Sequence, residues 1–384
     1  MRTVLLTGPG GSGTTTLAAS AALRSARSGV RTLLLTRQVL PVAGLSDEPH
    51  LDVVRVDGQT SLEQVWSSAS GAVGAVLPQL TLPPASSVVP LPGFAELGLF
   101  AALARADADV VVVDAGPMEA AADLVALPAT LRWWLDQLMP PGLRALGAVR
   151  TAAVASGAVR SGPIDAALGV VPVLEDLVRH ERVTGAEVWL AACPRASAVP
   201  ALRSAAASLA LHGLRPATVL ARVLPTEELG EWGKQREGEQ DGVLAALGEV
   251  APVERIPEGA LAPADADELA ALLTEVEPPA PGPSEAPVPE RHEGAWRLTV
   301  PLPFAERSAV HLTRWVDDLV VTVGNSRRSL PLDPLLRRCE VTGGRLADPG
   351  TAAARLEVGF RADPRLWPAD LLAAEAMAPK EETS

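Results

Sequence analysis

Up to about residue 275, short apolar runs alternate with stretches of helical spacing. Residues 4–7 (VLLT) form the first run and end in a glycine loop, and residues 15–26 carry an Ala-rich helical pattern. Residues 32–36 (TLLLT), 51–56 (LDVVRV), 110–113 (VVVV), 187–192 (EVWLAA) and 217–223 (ATVLARV) supply further strands. Runs that are apolar at consecutive positions, rather than at alternate ones, mark strands covered on both faces. Helices between such strands make right-handed crossovers. The pattern predicts a doubly wound α/β domain with a mostly parallel sheet.

The pattern changes after residues 278–289, PPAPGPSEAPVP, where half the positions are Pro. Such a stretch lacks backbone donors and favours extended geometry, so it reads as a linker. Beyond it, residues 296–301, 310–313, 319–323 and 355–360 are short, alternating or β-branched segments broken by Asp, Gly, Asn and Pro. They predict a small antiparallel all-β sandwich. The expected organisation is an α/β domain over residues 1–277, a linker over 278–290, a sandwich over 291–365 and a C-terminal tail over 366–384.

Composition narrows the functional classes. Of 384 residues, 48% are hydrophobic, but there is no Tyr and only 4 Phe and 8 Trp, so Ala, Val and Leu must fill the core. A net charge of −13 excludes the basic footprint that nucleic-acid binding needs. Two Cys exclude a disulfide scaffold and a four-Cys zinc site. The start, MRTVLLTGPGG, has no signal-peptide pattern, and no apolar run is long enough to span a membrane. A soluble, cytoplasmic protein that is not an integral membrane protein is expected. Lys occurs only at Lys234 and Lys380, so Arg is the expected cation wherever charge alone is needed.

The candidate chemistry begins after the first strand, at Gly8-Pro9-Gly10-Gly11-Ser12-Gly13-Thr14-Thr15-Thr16. A strand, a glycine loop and a helix start place backbone amides around one concavity, where the helix dipole adds positive potential. The spacing is G-x-x-x-x-G-T-T, with Thr14 where a nucleotide-binding loop carries lysine, while Thr15 retains a hydroxyl suited to Mg²⁺. Gly8, Gly10, Gly11, Gly13, Thr14, Thr15 and Thr16 are the candidate phosphate-binding residues. Asp114, directly after VVVV, lies at the carboxyl edge of a strand, where open α/β sheets bind ligands, and is the candidate catalytic and magnesium-associated carboxylate. A Gly-rich turn and a loop aspartate are the plain structural alternatives.

Residues 107–140, DADVVVVDAGPMEAAADLVALPATLRWWLDQLMP, resemble the switch II region of ArsA/GET-type ATPases, the family of arsenite-pump and tail-anchored-protein targeting subunits. LPGFAEL at 91–97 and ATVLARVLP at 217–225 are similar to two further segments of that family. The part beyond the linker resembles the small-heat-shock-protein (α-crystallin)-like domain appended to some bacterial members. The resemblance implies a deviant Walker P-loop NTPase fold that uses ATP and Mg²⁺ and closes as a homodimer around a hydrophobic client. The family's two loop lysines fall on Pro9 and Thr14, its switch I aspartate near Gln38, and its adenine-reading asparagine on Ala221.

These departures imply weak or absent ATP binding and impaired hydrolysis. The expected role is that of a binding or regulatory partner, as a homodimer or with an active ArsA-like paralogue. A working ATPase with Arg37 or a partner arginine on phosphate is one alternative, coupled to cargo or an ion-transport partner. A chaperone-like protein that binds clients through the sandwich is another. No zinc is expected, because the family's paired cysteines are missing and Cys193 and Cys339 lie far apart. The five His show no ligand spacing. Trp133 and Trp134 read as core, with a client groove as the alternative. Arg327 and Arg328 read as strand arginines pairing with Asp317 or Asp318, and residues 227–241 as a solvated helix face.

Overall fold

The computed structural model describes residues 1–63, 66, 67, 70, 82–90, 93–158, 171, 172, 175, 176, 178, 179, 182–273, 287–292 and 295–367. It contains a seven-stranded sheet with the order β3-β2-β4-β1-β5-β6-β7. The strands are β1 (Arg2–Gly8), β2 (Thr32–Thr36), β3 (Leu51–Arg55), β4 (Val110–Pro117), β5 (Glu187–Ala192), β6 (Pro216–Val223) and β7 (Val253–Pro257). β1 pairs in parallel with β4 and β5, and β2 with β3 and β4. From β1 the chain runs outward to β2 and β3, returns with β4 between β1 and β2, then crosses to β5 on the other side of β1. The carboxyl ends of β1 and β5 therefore flank a switch point of the kind where open sheets bind ligands.

The chain divides into two compact units. The first comprises Met1–Cys193, Leu220–Pro225 and Glu254–Glu277; the second comprises Pro194–Val219, Thr226–Val253 and Pro278–Ser384. In the first unit, every residue of β1 after Arg2 is buried, as its unbroken apolar run predicts. Helix α1 (Thr14–Arg27) covers the sheet with Leu17, Ala18, Ala19, Ala22 and Leu23, and the small alanines let it lie close. Its last-turn cations suit the negative helix end: Arg24 donates to the Leu273 carbonyl at 2.6 Å, and Arg27 pairs with Glu48 and with Asp267. At the amino edge, Arg2 grips the buried Glu187 carboxylate through two bonds of 2.6 and 2.7 Å.

Helices α2 (Phe94–Arg105), α3 (Met118–Leu138) and α4 (Pro141–Ala155) follow in the same unit. The expectation that Trp133 and Trp134 pack in the core is corrected here. Trp133 is half-buried, whereas Trp134 is exposed and meets it edge-on with ring centroids 4.9 Å apart. Leu135, one position on, takes the inward-facing place instead.

The second unit holds α5 (Ala198–Leu211), α6 (Gly230–Leu247) and an antiparallel sandwich. One sheet is β10 (Val310–Trp315), β11 (Asp318–Val323) and β12 (Ser326–Pro331). The other has the order β13-β14-β9-β8, from β13 (Cys339–Ala347), β14 (Arg355–Ala362), β9 (Ala295–Pro301) and β8 (Pro289–His292). Leu319, Val321 and Val323 of β11 face Leu356, Val358 and Phe360 of β14 in one core, and alternate positions point outward. That core continues onto α5 through Ala207 and Leu211. Arg328 donates to the Leu211 carbonyl at 2.7 Å, Arg327 to the Thr322 hydroxyl at 3.0 Å, and the Arg203 guanidinium lies 5.1 Å above the Phe304 ring. In α6 Glu231, Glu237 and Asp241 are exposed, but Arg236 is buried and bonds the half-buried Glu239 at 2.7 Å.

β7, β8, β12 and β13 lay outside the strands expected from the hydrophobic pattern. Their segments VERIP, PERH, SRRSLP and CEVTGGRLA are too polar or glycine-rich to stand out. Short helices α7 (Ala266–Ala271) and α8 (Pro334–Arg337) complete the described elements.

Candidate functional site

The site lies at the carboxyl edge of the sheet in the first unit, and three strands build it by the same change of chemistry. Towards the carboxyl edge, β1, β2 and β4 each pass from an apolar run to a polar group: Thr7, Thr36 and Asp114. Register brings them together, since Asp114 sits beside Leu6 and Val113 beside Leu35.

Asp114 is 2% exposed and both its oxygens are engaged. Oδ2 accepts from the Thr36 hydroxyl at 2.7 Å, and Oδ1 accepts from the Gly116 amide at 3.3 Å. The Thr36 oxygen in turn accepts from the Gln38 amide at 3.0 Å, and the Thr7 hydroxyl donates to the Gly116 carbonyl at 2.9 Å. A hydrogen-bonded brace thus joins the end of β1, the turn after β2 and the carboxylate. Sequence reasoning missed Thr36; its signal was a threonine at the end of an apolar strand, in step with Asp114.

The loop from Gly8 to Thr16 leaves β1 and enters α1. A Cβ at Gly8 would overlap the Ala191 carbonyl and come within 2.5 Å of Ser12 Oγ, so only glycine fits against β5. Gly13 N-caps α1 with φ of +83°, a conformation that disfavours side chains. The Ser12 amide donates to the Pro9 carbonyl at 3.0 Å, and Leu17 makes its helical bond to Gly13 at 2.9 Å. The amides of Thr14, Thr15 and Thr16 precede that bond and have no intrahelical acceptor. The first turn carries no acid, and Cβ atoms at Gly10 or Gly11 would meet only open space. The backbone therefore offers an uncompensated positive cradle.

Thr14 does not face that cradle. It is buried, and its hydroxyl lies 3.0 Å from Ser12 Oγ. Thr15 and Thr16 are half-buried in the same turn. Cys193, just after β5, approaches the Gly11 carbonyl with its thiol at 3.7 Å.

Two arginines flank the loop. Arg37 lies against Gly116, where a Cβ would be 3.0 Å from Nη2, and pairs with Glu96 at 2.6 Å. Nearby Asp123 has its carboxyl pushed above the usual carboxylate range by burial and by Glu96 and Glu119. Arg222 was not foreseen. Its guanidinium leans on Gly13, with Nη1 2.8 Å from where a Cβ would stand, and pairs with Glu258 at 3.0 Å.

Two family models match the chain in order. The Anion-transporting ATPase model covers residues 1–154, and an HSP20-like domain found in ArsA covers residues 293–360. An uncharacterized protein of Streptomyces coelicolor is 34% identical over 96% of this chain and 99% of its own length. The chain belongs to the ArsA family. A Mycobacterium tuberculosis protein is 29% identical over 96% of this chain and 97% of its own length. A Chlorobaculum tepidum protein that carries the name arsenical pump-driving ATPase is 30% identical over 35% of this chain and 37% of its length.

The α/β fold and the appended sandwich are those expected of such an ArsA-type chain. No helix among the described residues is long and apolar enough to cross a membrane. Among those residues no group of three or more His, Cys, Asp or Glu could hold a metal ion. The ArsA family in general binds nucleotide and Mg²⁺; in this chain the loop after β1 and Asp114 share the carboxyl edge of the sheet, while the buried Thr14 hydroxyl supplies no charge.

Proposed function

We propose that this ArsA-family protein binds nucleotide phosphate weakly and hydrolyses ATP poorly or not at all. It acts in the cytoplasm as a regulatory partner, as a homodimer or beside an active ArsA-like paralogue. The observation that carries this reading is Thr14. The amide cradle persists, while the side chain at the lysine position is turned inward onto Ser12. A charged hydrogen bond to phosphate contributes about 1.5–3 kcal/mol, so its loss weakens binding roughly 10–100-fold. Hydrolysis suffers more, because a well-placed cation is worth on the order of 10³–10⁵ in phosphoryl-transfer rate. Thr15 and Asp114 would hold a bound Mg²⁺, which supplies charge neutralisation at the phosphates. Asp114 acts from its brace with Thr36 and Gly116.

Calorimetric titration with Mg-ATP, run beside a turnover assay, tests the reading. Weak binding that Asp114→Asn removes, with no turnover above that variant, is expected. Robust magnesium-dependent hydrolysis that Asp114→Asn abolishes would overturn it.

A second reading, client binding, is favoured by exposed apolar side chains on two successive helices. Leu143, Leu146 and Val149 are exposed at successive turns of α4, and Trp134 and Leu138 are exposed on α3. The remainder of the region after α4, through residue 178, lies largely outside the described residues. In this reading Leu143→Ser with Leu146→Ser lowers suppression of client aggregation by the full chain. Unchanged suppression would shift the role to the sandwich or remove it.

A further inference from the structure

We infer that Arg222 is the phosphate cation of this loop, held in readiness by Glu258, and that it makes the site a receptor for di- or triphosphate groups of any base. The inference rests on the reading of the loop as a phosphate cradle. Four observations carry it.

The first is position. Arg222 projects from β6 onto Gly13, the residue that caps α1. Its Cδ, Nη1 and Cζ lie 2.9, 2.8 and 3.4 Å from where a Gly13 Cβ would stand. The charge therefore sits beside the three amides that open the helix, and adds to their potential instead of competing with it.

The second is how it is held. Nη2 pairs with Glu258 Oε1 at 3.0 Å, and both side chains are only partly exposed. Glu258 is itself fixed, because its amide donates to the Val223 carbonyl at 2.9 Å. One carboxylate occupies one edge of a guanidinium that has five donors, which leaves the others for an incoming anion.

The third is the state of the rival cations. Thr14 is neutral and buried against Ser12, and Arg37 pairs with Glu96 among other acids. The fourth concerns specificity. Ala221, the neighbour of Arg222 on β6, is fully buried and has no polar side-chain atom with which to read a base.

The test is calorimetry on the full chain with inorganic tripolyphosphate, ATP and GTP, each with MgCl₂. Variants are Arg222→Gln, Arg222→Lys, Glu258→Gln and Arg31→Gln. Arg31, paired with Asp109 at the opposite edge of the sheet, controls for loss of one positive charge. Arg222→Gln should weaken tripolyphosphate roughly 10–100-fold, and Arg222→Lys should recover most of that. Arg31→Gln should stay within about 2-fold. Glu258→Gln should bind as tightly as the parent or tighter, since it removes the competing carboxylate.

A parent protein that binds tripolyphosphate while Arg222→Gln binds equally well overturns this inference and leaves the cradle reading standing. A parent that binds none of the three ligands overturns the cradle reading, and the inference with it. If Arg222→Gln does not fold, Glu258→Gln decides, and weakening of 10-fold or more would make the pair structural. A preference for ATP over both GTP and tripolyphosphate beyond about 10-fold overturns the base-independent part.

Discussion

His212 should make this protein lose stability as the pH falls from 6.5 towards 4. The residue caps the C-terminus of α5 and is 5% exposed. Burial, then the positive charge of Arg328, pushes its imidazole down to about 4. A helix C-terminus ordinarily favours a protonated histidine. Here Arg328 already donates to the Leu211 carbonyl, so that place is taken by another cation. The folded state therefore keeps His212 neutral, whereas the unfolded chain protonates it near the ordinary histidine value of about 6.5.

The sign follows directly. Between pH 6.5 and 4 the unfolded state binds the extra proton, so protonation drains the native state. The contribution is complete above pH 6.5, and below about pH 4 it has been lost in full. The total is about 3 kcal/mol, of which about 2 kcal/mol is gone by pH 5. The measurement is urea unfolding at pH 7.5 and pH 5 for the parent and for His212→Gln. Carboxylates and the other histidines titrate in both proteins, so the difference between the two pH effects isolates His212. A parent that loses about 2 kcal/mol more than the variant supports the argument. Equal losses, or an NMR titration of His212 with a midpoint at 6.5 or above, would refute it.

Three further outcomes are expected. Gly8→Ala should cost about 1–3 kcal/mol in urea unfolding, because its methyl overlaps the backbone oxygen of Ala191 and neither strand can step aside. A loss below about 0.5 kcal/mol would mean the loop has slack. Arg2→Leu should cost about 1–3 kcal/mol by stranding the buried Glu187 carboxylate, less than a fully buried pair because Arg2 is 46% exposed. The double variant Arg2→Leu/Glu187→Leu should recover most of that loss. Thr14→Lys should restore little turnover in a Mg-ATP assay, since Pro9, Gln38 and Ala221 stay as they are; robust hydrolysis would place the whole deficit at one residue.

What the sequence reveals of this site depends on distance along the chain. The glycine loop and Asp114 are local: each follows an apolar strand, and a strand's carboxyl end has a known use. Thr36 is half-hidden, because a threonine closing TLLLT acquires meaning only when the register puts it beside Asp114. Arg222 and Glu258 are invisible, since the contact with Gly13 exists only once β6 and β7 are placed. The same holds for the sandwich. Its inward residues are read easily from alternation in β11 and β14, but nothing about Ala207 or Leu211 marks them as sharing that core. A truncation at the Pro-rich stretch would uncover both, which is why point substitutions in the full chain are the cleaner test of a client-binding role.

The place of lysine in this chain bears on what the loop has become. With only two lysines and many arginines, a simple drift of composition would have put arginine at position 14. Threonine stands there instead and is buried, so the loop's own helix offers no side-chain cation at that position. In the reading proposed here, positive charge returns from β6 on a side chain tethered to Glu258. Hydrolysis needs a cation matched to charge that develops during transfer, whereas retention of a phosphate needs only one nearby. Moving the charge from the loop to a strand preserves the second requirement more readily than the first. A protein built this way should report the presence of a polyphosphate without consuming it.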